Sequence, residues 1–333
     1  MLNFYFRFFF FLLENKNMRN IAILGGTGFV GKHLAARLIE MGYQVRILTR
    51  KFEQHRDLLL LPNLKLLEAD VNEQTQLNEQ LAGCDAVINL IGILNESSHD
   101  GTGFRKVHVE LSEKIIAACK ANNISRLLHI SSLNAKAEEK NSHYLRTKGE
   151  AEDLLHATEG LNVTSFKPSV IFGENAGMLN TFAALLRLPS PIFMLPSAQA
   201  KFAPIWVKDV VEAMVKTLDN PESYGQRYNL CGPKVYTLQE LVSYTAKQMG
   251  LKRYIIPLKT TASMLIAKIM ERIPGKPYSV DNFYSSQVES VCDKNDLKQL
   301  GITPHSLETV MSRPLSATTN RERYANYRSL AGR

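Results

Sequence analysis

The first half of the chain alternates between short apolar runs and longer stretches in which apolar residues recur every three or four positions. The first run, Ile21–Leu24, leads into a stretch of helical spacing that ends at Gly42, and a second run, Val45–Leu48, follows. Runs that are apolar throughout are typical of parallel strands buried on both faces, and the amphipathic stretches are typical of the covering helices. Further runs lie at 64–68, 86–92 and 126–130. The pattern predicts an α/β fold, a Rossmann-type doubly wound parallel sheet.

The pattern becomes less regular after residue 173. Leu185–Pro196 is apolar and broken by prolines, and it is expected to form either a wall of a substrate pocket or a loop packed in the core. Residues 237–249 are predicted to be helical, since Thr237 and Glu240 have the spacing of a capping box. Thr261–Ile273 is a second apolar helix, either packed within the fold or lying on a membrane or a partner. These elements predict a smaller C-terminal cap lobe.

The chain is expected to divide into a sheet domain, a cap lobe and two ends. The domain boundaries that we predict are 18–173 for the Rossmann domain, with 203–233 returning to the sheet, and 174–202 with 234–315 for the cap lobe. Residues 1–17 hold an apolar stretch that is too short to span a bilayer and lacks the features of a signal peptide. We expect it to lie outside the fold, as an upstream extension rather than an anchor. Residues 316–333 form a basic tail.

Charge and composition exclude several classes of protein. The net charge of +8 suits anionic cofactors or membrane surfaces, but no basic run with interleaved aromatic residues indicates binding to nucleic acid. The eight histidines and four cysteines are dispersed without metal-ligand spacing, so we predict no metal site. The cysteines are expected to be small buried hydrophobes in a reducing compartment. We therefore expect a cytoplasmic protein that can contact the inner face of a membrane.

A glycine-rich turn joins the first predicted strand to the first helix. Gly25, Gly28 and Gly31 follow the strand with two residues between each. In this context the first glycine allows a tight turn, the second lets the backbone approach a diphosphate, and the third lets helix and strand pack closely. The diphosphate would be held by amide groups at the helix N-terminus. The predicted cofactor-binding residues of this turn are the three glycines with Thr27, Phe29 and Val30.

The ends of the next strands carry further candidate cofactor residues. An NAD-binding unit commonly has an acidic residue after its second strand, but Arg50 and Lys51 stand there. A guanidinium matches a 2′-phosphate, so Arg50 favours NADP(H) over NAD(H). Asp70 can contact the adenine amino group or cap the following helix, and Val71 can pack on the ring. Asn89 and Gly92 close the fourth strand, where a small residue lets the cofactor ribose approach the sheet.

The candidate catalytic residues follow the fifth strand. Ser131 and Ser132 stand directly after it, and Tyr144 and Lys148 follow with the spacing of one helical turn. An ammonium group near a phenol is expected to lower the pKa of the phenol, which is otherwise too high for acid–base catalysis near neutrality. The lysine can also bind the nicotinamide ribose. Tyr144 would then exchange a proton with the substrate while a hydride moves to or from the nicotinamide.

Together these motifs resemble the short-chain dehydrogenase/reductase superfamily, in its extended or atypical branch. The matching pieces are Gly25–Gly31, Asp70-Val71, Asn89–Gly92, His129–Ser132, Tyr144–Lys148 and Lys167–Gly173. The resemblance implies that Pro168 and Val170 lie along the nicotinamide. Within the branch, the chain is similar to the dehydrogenase-like accessory subunit of respiratory complex I and its bacterial relatives. This similarity rests on His129–Ala135, Tyr144–Lys148, Lys167–Gly173 and Met178–Phe182. That similarity favours Ser131 as the active serine, whereas position after the strand favours Ser132.

Three functions are compatible with these residues. The first is an NADP(H)-dependent oxidoreductase acting on an apolar carbonyl or quinone-like substrate. The second is a non-catalytic subunit that holds NADPH in a respiratory complex at a membrane, which the subgroup resemblance implies. The third is a nucleotide-sugar epimerase or dehydratase, which the short segment between Ser132 and Tyr144 disfavours.

Overall fold

The first half of the fold is a regular alternation of strands and helices. The computed structural model describes residues 19–173, 176–273 and 276–311. The strands of this half are β1 (Asn20–Leu24), β2 (Gln44–Thr49), β3 (Leu64–Glu68), β4 (Ala86–Asn89), β5 (Arg126–Ile130) and β6 (Asn162–Pro168). The helices are α1 (Phe29–Glu40), α2 (Gln74–Leu81), α3 (Thr102–Arg105), α4 (Leu111–Ala121) and α5 (His143–His156). A 3₁₀ segment covers Phe52–Leu60, and a π turn, Lys106–Glu110, joins α3 to α4.

The second half mixes short strands with helices. The strands are β7 (Ile171–Gly173), β8 (Ala176–Gly177), β9 (Ile192–Leu195), β10 (Lys201–Phe202), β11 (Ile205–Trp206), β12 (Arg227–Leu230), β13 (Tyr236–Thr237) and β14 (Tyr254–Pro257). The helices are α6 (Met178–Leu186), α7 (Val207–Leu218), α8 (Leu238–Gln248), α9 (Thr260–Met270), α10 (Val280–Ser286) and α11 (Leu307–Val310). Of these elements, β12 is a strand of the central sheet and α7 is one of the helices that cover it.

Seven parallel strands form the central sheet, in the order β12-β6-β5-β4-β1-β2-β3. The chain proceeds outward from β1 to β3 on one side and then crosses to β4 on the other. The crevice at such a reversal, at the carboxyl ends of the strands, is where open α/β sheets bind their ligands. β1 and β4 flank that reversal, and the glycine-rich turn follows β1. The predicted doubly wound sheet is therefore confirmed.

Helices cover both faces of the sheet. On one face α1 and α7 bury their apolar sides against the strands, and an ion pair of 2.6 Å between Arg37 and Glu212 links the two helices. On the other face α2, α4 and α5 close a second apolar core. Because burial of apolar side chains is the dominant favourable term in folding, these two layers hold the sheet edge in a fixed geometry.

A smaller C-terminal lobe packs beside the sheet, as predicted. Its small sheets pair β9 with β14, β10 with β13, and β7 with β8 and β11. Side chains of α6, α8 and β9 form one of its apolar cores. The capping box of α8 is confirmed, since the Thr237 hydroxyl accepts a hydrogen bond from the Glu240 amide while Glu240 accepts one from the Thr237 amide.

The cysteines differ from the prediction. Cys84 and Cys119 are buried thiols, as expected, but Cys231 and Cys292 are joined in a disulfide. The interpretation of all four as small buried hydrophobes is therefore wrong for this pair. Their separation of 61 residues carries no signal in the sequence. The contact arises because Cys231 directly follows β12 and the segment after α10 returns to that edge of the sheet.

Two of the predicted segments cannot be compared with the structure. The N-terminal extension 1–17 and the basic tail 316–333 lie outside the described residues. Within the described part of the chain, no helix combines the length and the apolar character needed to cross a lipid bilayer.

Candidate functional site

The glycine-rich turn between β1 and α1 has the geometry of a dinucleotide cradle. Gly25 adopts a φ of +81°, which a residue with a side chain rarely adopts, and its carbonyl accepts a hydrogen bond of 3.1 Å from the Gly28 amide. A Cβ atom added at Gly31 would lie 2.5 Å from the Gly25 carbonyl oxygen, so the close packing of helix on strand requires glycine. A Cβ added at Gly28 would meet only that same oxygen, so the space in front of the turn is open.

The N-terminus of α1 leaves its amide groups available to a ligand. Gly28 occupies the capping position, where it offers no side chain to accept hydrogen bonds, and no acidic residue stands in the first turn. Such amides attract a diphosphate through hydrogen bonds and the helix dipole. Thr27, Phe29 and Val30 are half-buried around the turn, and Phe29 packs beside Gly173 at the end of β7. The residues present therefore fit the diphosphate of a dinucleotide.

Arg50 and Asp70 stand at the ends of β2 and β3. Arg50 is exposed and forms no ion pair with any described residue, so its guanidinium is available to a 2′-phosphate. Asp70 accepts hydrogen bonds from the amide and the side chain of Asn72, which lower the pKa of its carboxyl, with a smaller contribution from the charge of Arg50. Asp70 does not cap α2, since the helix begins at Gln74 with Glu73 at its capping position and no side-chain cap. The Asp70 carbonyl instead closes a turn by accepting a hydrogen bond of 3.0 Å from the Glu73 amide. Val71 packs half-buried on the core beneath.

The turn after β4 is fixed by the side chain of Asn89. Its oxygen accepts a hydrogen bond of 3.1 Å from the Ile91 amide, and its nitrogen lies 3.3 Å from Nδ1 of His129. Gly92 follows against Lys148, where an added Cβ would lie 3.0 Å from the ammonium nitrogen. Asn89 therefore shapes the backbone of this turn, and Gly92 leaves the space that the lysine occupies.

Helix α5 carries Tyr144 and Lys148 on one side, one turn apart. Lys148 is buried and donates a hydrogen bond of 2.9 Å to the carbonyl of Ile130, the last residue of β5. Burial lowers the pKa of Lys148 to about 8, and the carboxylate of Glu152 opposes this shift. Tyr144 is half-buried, and its ring meets the ring of Phe104 edge to face at 6.0 Å. The predicted Tyr–Lys pair is therefore brought together with the end of β5.

The two serines occupy different positions at this edge. The Ser132 hydroxyl lies close enough to the phenol of Tyr144 to affect its pKa, whereas the Ser131 hydroxyl is buried and has no hydrogen-bond partner among the described residues. Pro168 is buried beside them, and its carbonyl accepts a hydrogen bond from the Leu133 amide. Val170 is half-buried at the start of the next strand. The geometry favours Ser132 as the hydroxyl that shares a ligand with Tyr144.

The pKa of Tyr144 shifts in the direction opposite to the prediction. Burial raises it, the Ser132 hydroxyl lowers it, and the charge of Asp281 raises it further, with a net increase above its usual value of 10. The prediction that the Lys148 ammonium lowers the pKa of Tyr144 is therefore wrong for the protein without a bound cofactor. The physical reason is desolvation, since the Lys148 ammonium is committed to the Ile130 carbonyl while the phenol is removed from water.

Two buried histidines that the sequence analysis missed surround Lys148. Burial and, to a smaller extent, the charge of Lys148 lower the pKa of His108 to about 2. His129 is fully buried, and its pKa is lowered for the same reasons. Both rings are therefore neutral at physiological pH, and Lys148 carries the only positive charge of this group. In the sequence, His129 is the first residue of the matching piece His129–Ser132, where no role was assigned to it.

Asp281 is a third residue to which the sequence analysis assigned no role. It comes from α10 of the C-terminal lobe and caps α5, since its carboxylate accepts a hydrogen bond of 3.0 Å from the Ser142 hydroxyl and others from the amides of His143 and Tyr144. A carboxylate is favoured at a helix N-terminus. The lobe therefore positions the helix that carries the Tyr–Lys pair, and no local pattern around residue 281 indicates this long-range contact.

Residues 185–196, one expectation for which was an apolar wall of a substrate pocket, lie away from the cavity beside α5. A cavity of about 160 Å³ lies at the N-terminus of α5, and its lining is largely polar, with Glu96, His143, Lys276 and Asp281. No residue of 185–196 lines it. Phe193 and Leu195 instead pack into the lobe core. Of the two expectations for residues 185–196, the contacts support packing in the core, with part of the segment forming the strand β9 rather than a loop.

Comparison with known proteins agrees with this site. The family model described as the NAD dependent epimerase/dehydratase family matches residues 21–231, which include the glycine turn, both serines, Tyr144 and Lys148. The Arabidopsis thaliana protein named NADH dehydrogenase (ubiquinone) 1 alpha subcomplex subunit 9, mitochondrial, is 27% identical over 304 residues, covering 86% of this chain and 74% of the relative.

One further relative and one solved structure have names or titles that mention a sugar nucleotide or a sugar-lipid epimerase. The Escherichia coli O157:H7 protein named N-acetyl-alpha-D-glucosaminyl-diphospho-ditrans,octacis-undecaprenol 4-epimerase is 25% identical over 323 residues, covering 89% of this chain and 94% of the relative. The structure of MoeE5 in complex with UDP-glucose and NAD has a TM-score of 0.69 at 19% identity, covering 93% of this chain and 99% of that chain. The family match covers more than half of the sequence, and the chain belongs to the NAD dependent epimerase/dehydratase family, with an extended short-chain dehydrogenase/reductase fold.

Proposed function

We propose that this protein is an NADP(H)-dependent oxidoreductase that reduces an apolar carbonyl or quinone-like compound. The observation that carries the proposal is the convergence of an open glycine turn, a serine pair and a Tyr–Lys pair at one edge of the sheet. Perturbed titratable groups beside a cofactor cradle are typical of catalytic sites.

The cofactor would be held along the ends of β1 to β6. The amides after Gly28 would bind the diphosphate, Arg50 the 2′-phosphate, and Asp70 with Val71 the adenine. Lys148 would bind the nicotinamide ribose, beside Gly92. When bound, the nicotinamide supplies or accepts a hydride. The preference for NADP(H) rests on Arg50, which stands where an acidic residue would favour NAD(H).

The protein's own contribution is proton transfer. The raised pKa of Tyr144 keeps the phenol protonated at neutral pH, and a protonated phenol can donate to the oxygen of a carbonyl or quinone as that oxygen gains negative charge. Ser132 would orient the same oxygen. Lys148, whose ammonium donates to the Ile130 carbonyl, would hold the nicotinamide ribose beside this phenol.

The apolar character of the substrate is supported by one contact and one relative. The Phe104 ring stands beside Tyr144, so an apolar substituent on the carbonyl would meet an aromatic surface. The E. coli relative carries an undecaprenol chain in its substrate's name. The polar cavity at the N-terminus of α5 would receive the more polar end of such a compound.

A second candidate is a subunit that holds NADPH without turnover in a respiratory assembly at a membrane. What favours it is the similarity to the Arabidopsis subunit, whose name places it in an NADH dehydrogenase (ubiquinone). In either role we propose a protein attached peripherally to a membrane. A third candidate, nucleotide-sugar epimerisation, is favoured by the E. coli relative and by MoeE5, and disfavoured by the short segment before Tyr144.

Turnover by Tyr144→Phe distinguishes these candidates. Purified protein is incubated with NADPH and a panel of short-chain quinones and aromatic aldehydes, and absorbance at the nicotinamide wavelength is followed. We expect wild type to oxidise NADPH and Tyr144→Phe to lose roughly a hundredfold or more of the rate while still binding NADPH, since general acid catalysis contributes about that much. Equal turnover by both proteins would contradict the assigned role of the phenol.

Two other results favour the alternatives. NADPH that stays bound and is never oxidised by wild type, in protein that co-purifies with a respiratory complex, supports the structural subunit. A thermal shift with UDP-sugars but none with quinones supports the epimerase.

A further inference from the structure

One face of the small β9/β14 sheet carries large apolar side chains where polar ones are expected. The two strands are parallel and pair Ile192 with Tyr254 and Met194 with Ile256. The intervening residues face the lobe core, so these four side chains share the outer face. All four are exposed, Tyr254 by 76% and Met194 by 59%. A half-buried strand normally alternates apolar with polar residues, so this face is unusual for a surface in contact with water.

The helix that follows β14 also exposes large apolar side chains. α9 starts three residues after the strand and turns its small residues, Ser263 and Ala267, towards the fold. Leu265 and Ile269, one turn apart, are 60% and 51% exposed. The sequence alone left open whether this helix packs within the fold, and the structure shows that its large outward side chains do not. Leu188, just before β9, and Ile273, just after α9, are also exposed.

Cations accompany these apolar side chains. Residues 184–195 and 251–273 together contain six basic residues and one acidic residue, Glu271, whose carboxylate lies 3.4 Å from His99. The basic residues are Arg187, Lys252, Arg253, Lys259, Lys268 and Arg272. An apolar face with basic residues around it matches a bilayer whose headgroups are anionic, because the apolar side chains enter the acyl boundary while the cations meet phosphate groups.

We infer that the outer face of β9, β14 and α9 docks on an anionic membrane surface. A second copy of this chain fits less well, since a symmetric interface would bring the same cations of both copies together. The inference rests on the membrane attachment proposed above and names the surface that makes it. The face lies in the C-terminal lobe, the lobe whose Asp281 caps the helix of the Tyr–Lys pair.

Vesicle binding of the full chain tests this surface without cofactor or substrate. The protein is sedimented with vesicles of phosphatidylcholine alone and of phosphatidylcholine with about 30% phosphatidylglycerol, at low and high salt. We expect binding to the anionic vesicles that weakens with salt, because the cations contribute through a screened attraction. If the protein does not bind vesicles, the proposed oxidoreductase activity is unaffected. If the protein does not oxidise NADPH, the proposed membrane-binding surface is unaffected.

Matched variants assign the binding to this face. Leu265→Gln with Ile269→Gln on α9 should reduce partitioning roughly tenfold or more, since each removes an apolar side chain from the bilayer. Met194→Gln with Tyr254→Gln provides an independent pair on the strands, should the first pair fail to fold. The control replaces two exposed leucines of the 3₁₀ segment, Leu59→Gln and Leu60→Gln, and should bind as wild type.

The outcomes are separable because every variant keeps residues 1–17. Any contribution from that apolar stretch is common to all variants and cancels in the comparison. Binding that the face variants reduce and the control does not supports the inference. No binding to anionic vesicles, or an equal loss in face and control variants, overturns it. So does a dimer in sedimentation velocity that the face variants abolish, since a second copy would then be the occupant.

Discussion

Lys148 shows how a functional side chain can work against the stability of the fold. Its ammonium is buried beside two neutral histidines, and one backbone carbonyl accepts its hydrogen bond. Burial lowers its pKa to about 8. The unfolded chain therefore holds a proton on this residue above pH 8, where the folded chain does not. Stability should rise with pH in this range, because the unfolded state binds more protons.

The prediction for Lys148 is a pH-dependent difference between two proteins. From pH 8 to pH 10, the free energy of unfolding of wild type should gain roughly 2 kcal/mol relative to Lys148→Met, since the variant has no proton to lose. Urea denaturation at several pH values measures this difference. Parallel pH profiles for the two proteins would show that the ammonium is not desolvated.

At the residue scale, the sequence predicted the spacing of the candidate catalytic residues but not the direction of their pKa shifts. The positions of Tyr144 and Lys148 one turn apart follow from helical periodicity alone. The direction of the Tyr144 pKa shift does not, because it depends on how far the phenol is removed from water and on the charge of Asp281, 137 residues away. A buried partner at that distance in the chain leaves no local pattern.

At the scale of elements, the buried parallel strands were the most predictable part. The third and fifth strands were predicted with the observed bounds, β3 and β5. Every residue of β5 is buried, whereas β3 lies at the edge of the sheet and buries only Leu66. The helical stretch before β5 is interrupted by the π turn Lys106–Glu110, which separates α3 from α4. The two-residue strands of the lobe could not be predicted, since long-range pairings define them, as between β10 and β13.

The cap of α5 gives a prediction for a single element. Asp281→Ala should lower the free energy of unfolding by about 1–2 kcal/mol, because Ser142 and the first amides of the helix lose their acceptor. Asp281→Asn should recover part of this loss, since its amide oxygen can still accept a hydrogen bond. Chemical denaturation of the three proteins measures the order. If the alanine variant is as stable as wild type, the lobe does not hold this helix.

At the scale of the whole molecule, a covalent bond ties the edge of the sheet to the lobe. The disulfide Cys231–Cys292 closes a loop of the size for which chain entropy contributes about 4 kcal/mol. Protein isolated without reductant should therefore show two reactive thiols after denaturation, those of Cys84 and Cys119. Reductant should lower its melting temperature, and should have no such effect on Cys292→Ser. Four reactive thiols in the unreduced protein would contradict the bond.

The whole-molecule architecture was predictable because its signals are local and repeated. Alternating runs and amphipathic stretches, with a glycine turn after the first strand, specify a doubly wound sheet and the edge at which its ligand binds. The outward face of the lobe was not predictable, since an apolar strand or helix looks the same in the sequence whether its side chains are buried or exposed. Residues 261–273 show this, because only the fold decides which side of α9 meets water.

Nucleotide binding by Arg50→Ala tests the central claim most directly. Titration of wild type and variant with NADPH and with NADH, followed by nicotinamide fluorescence, gives four dissociation constants. The site described here predicts that wild type prefers NADPH and that Arg50→Ala weakens NADPH by roughly tenfold or more while NADH changes little, because only NADPH loses a phosphate contact. Equal losses for both nucleotides, or no binding of either by wild type, would contradict the assignment of this crevice to NADP(H).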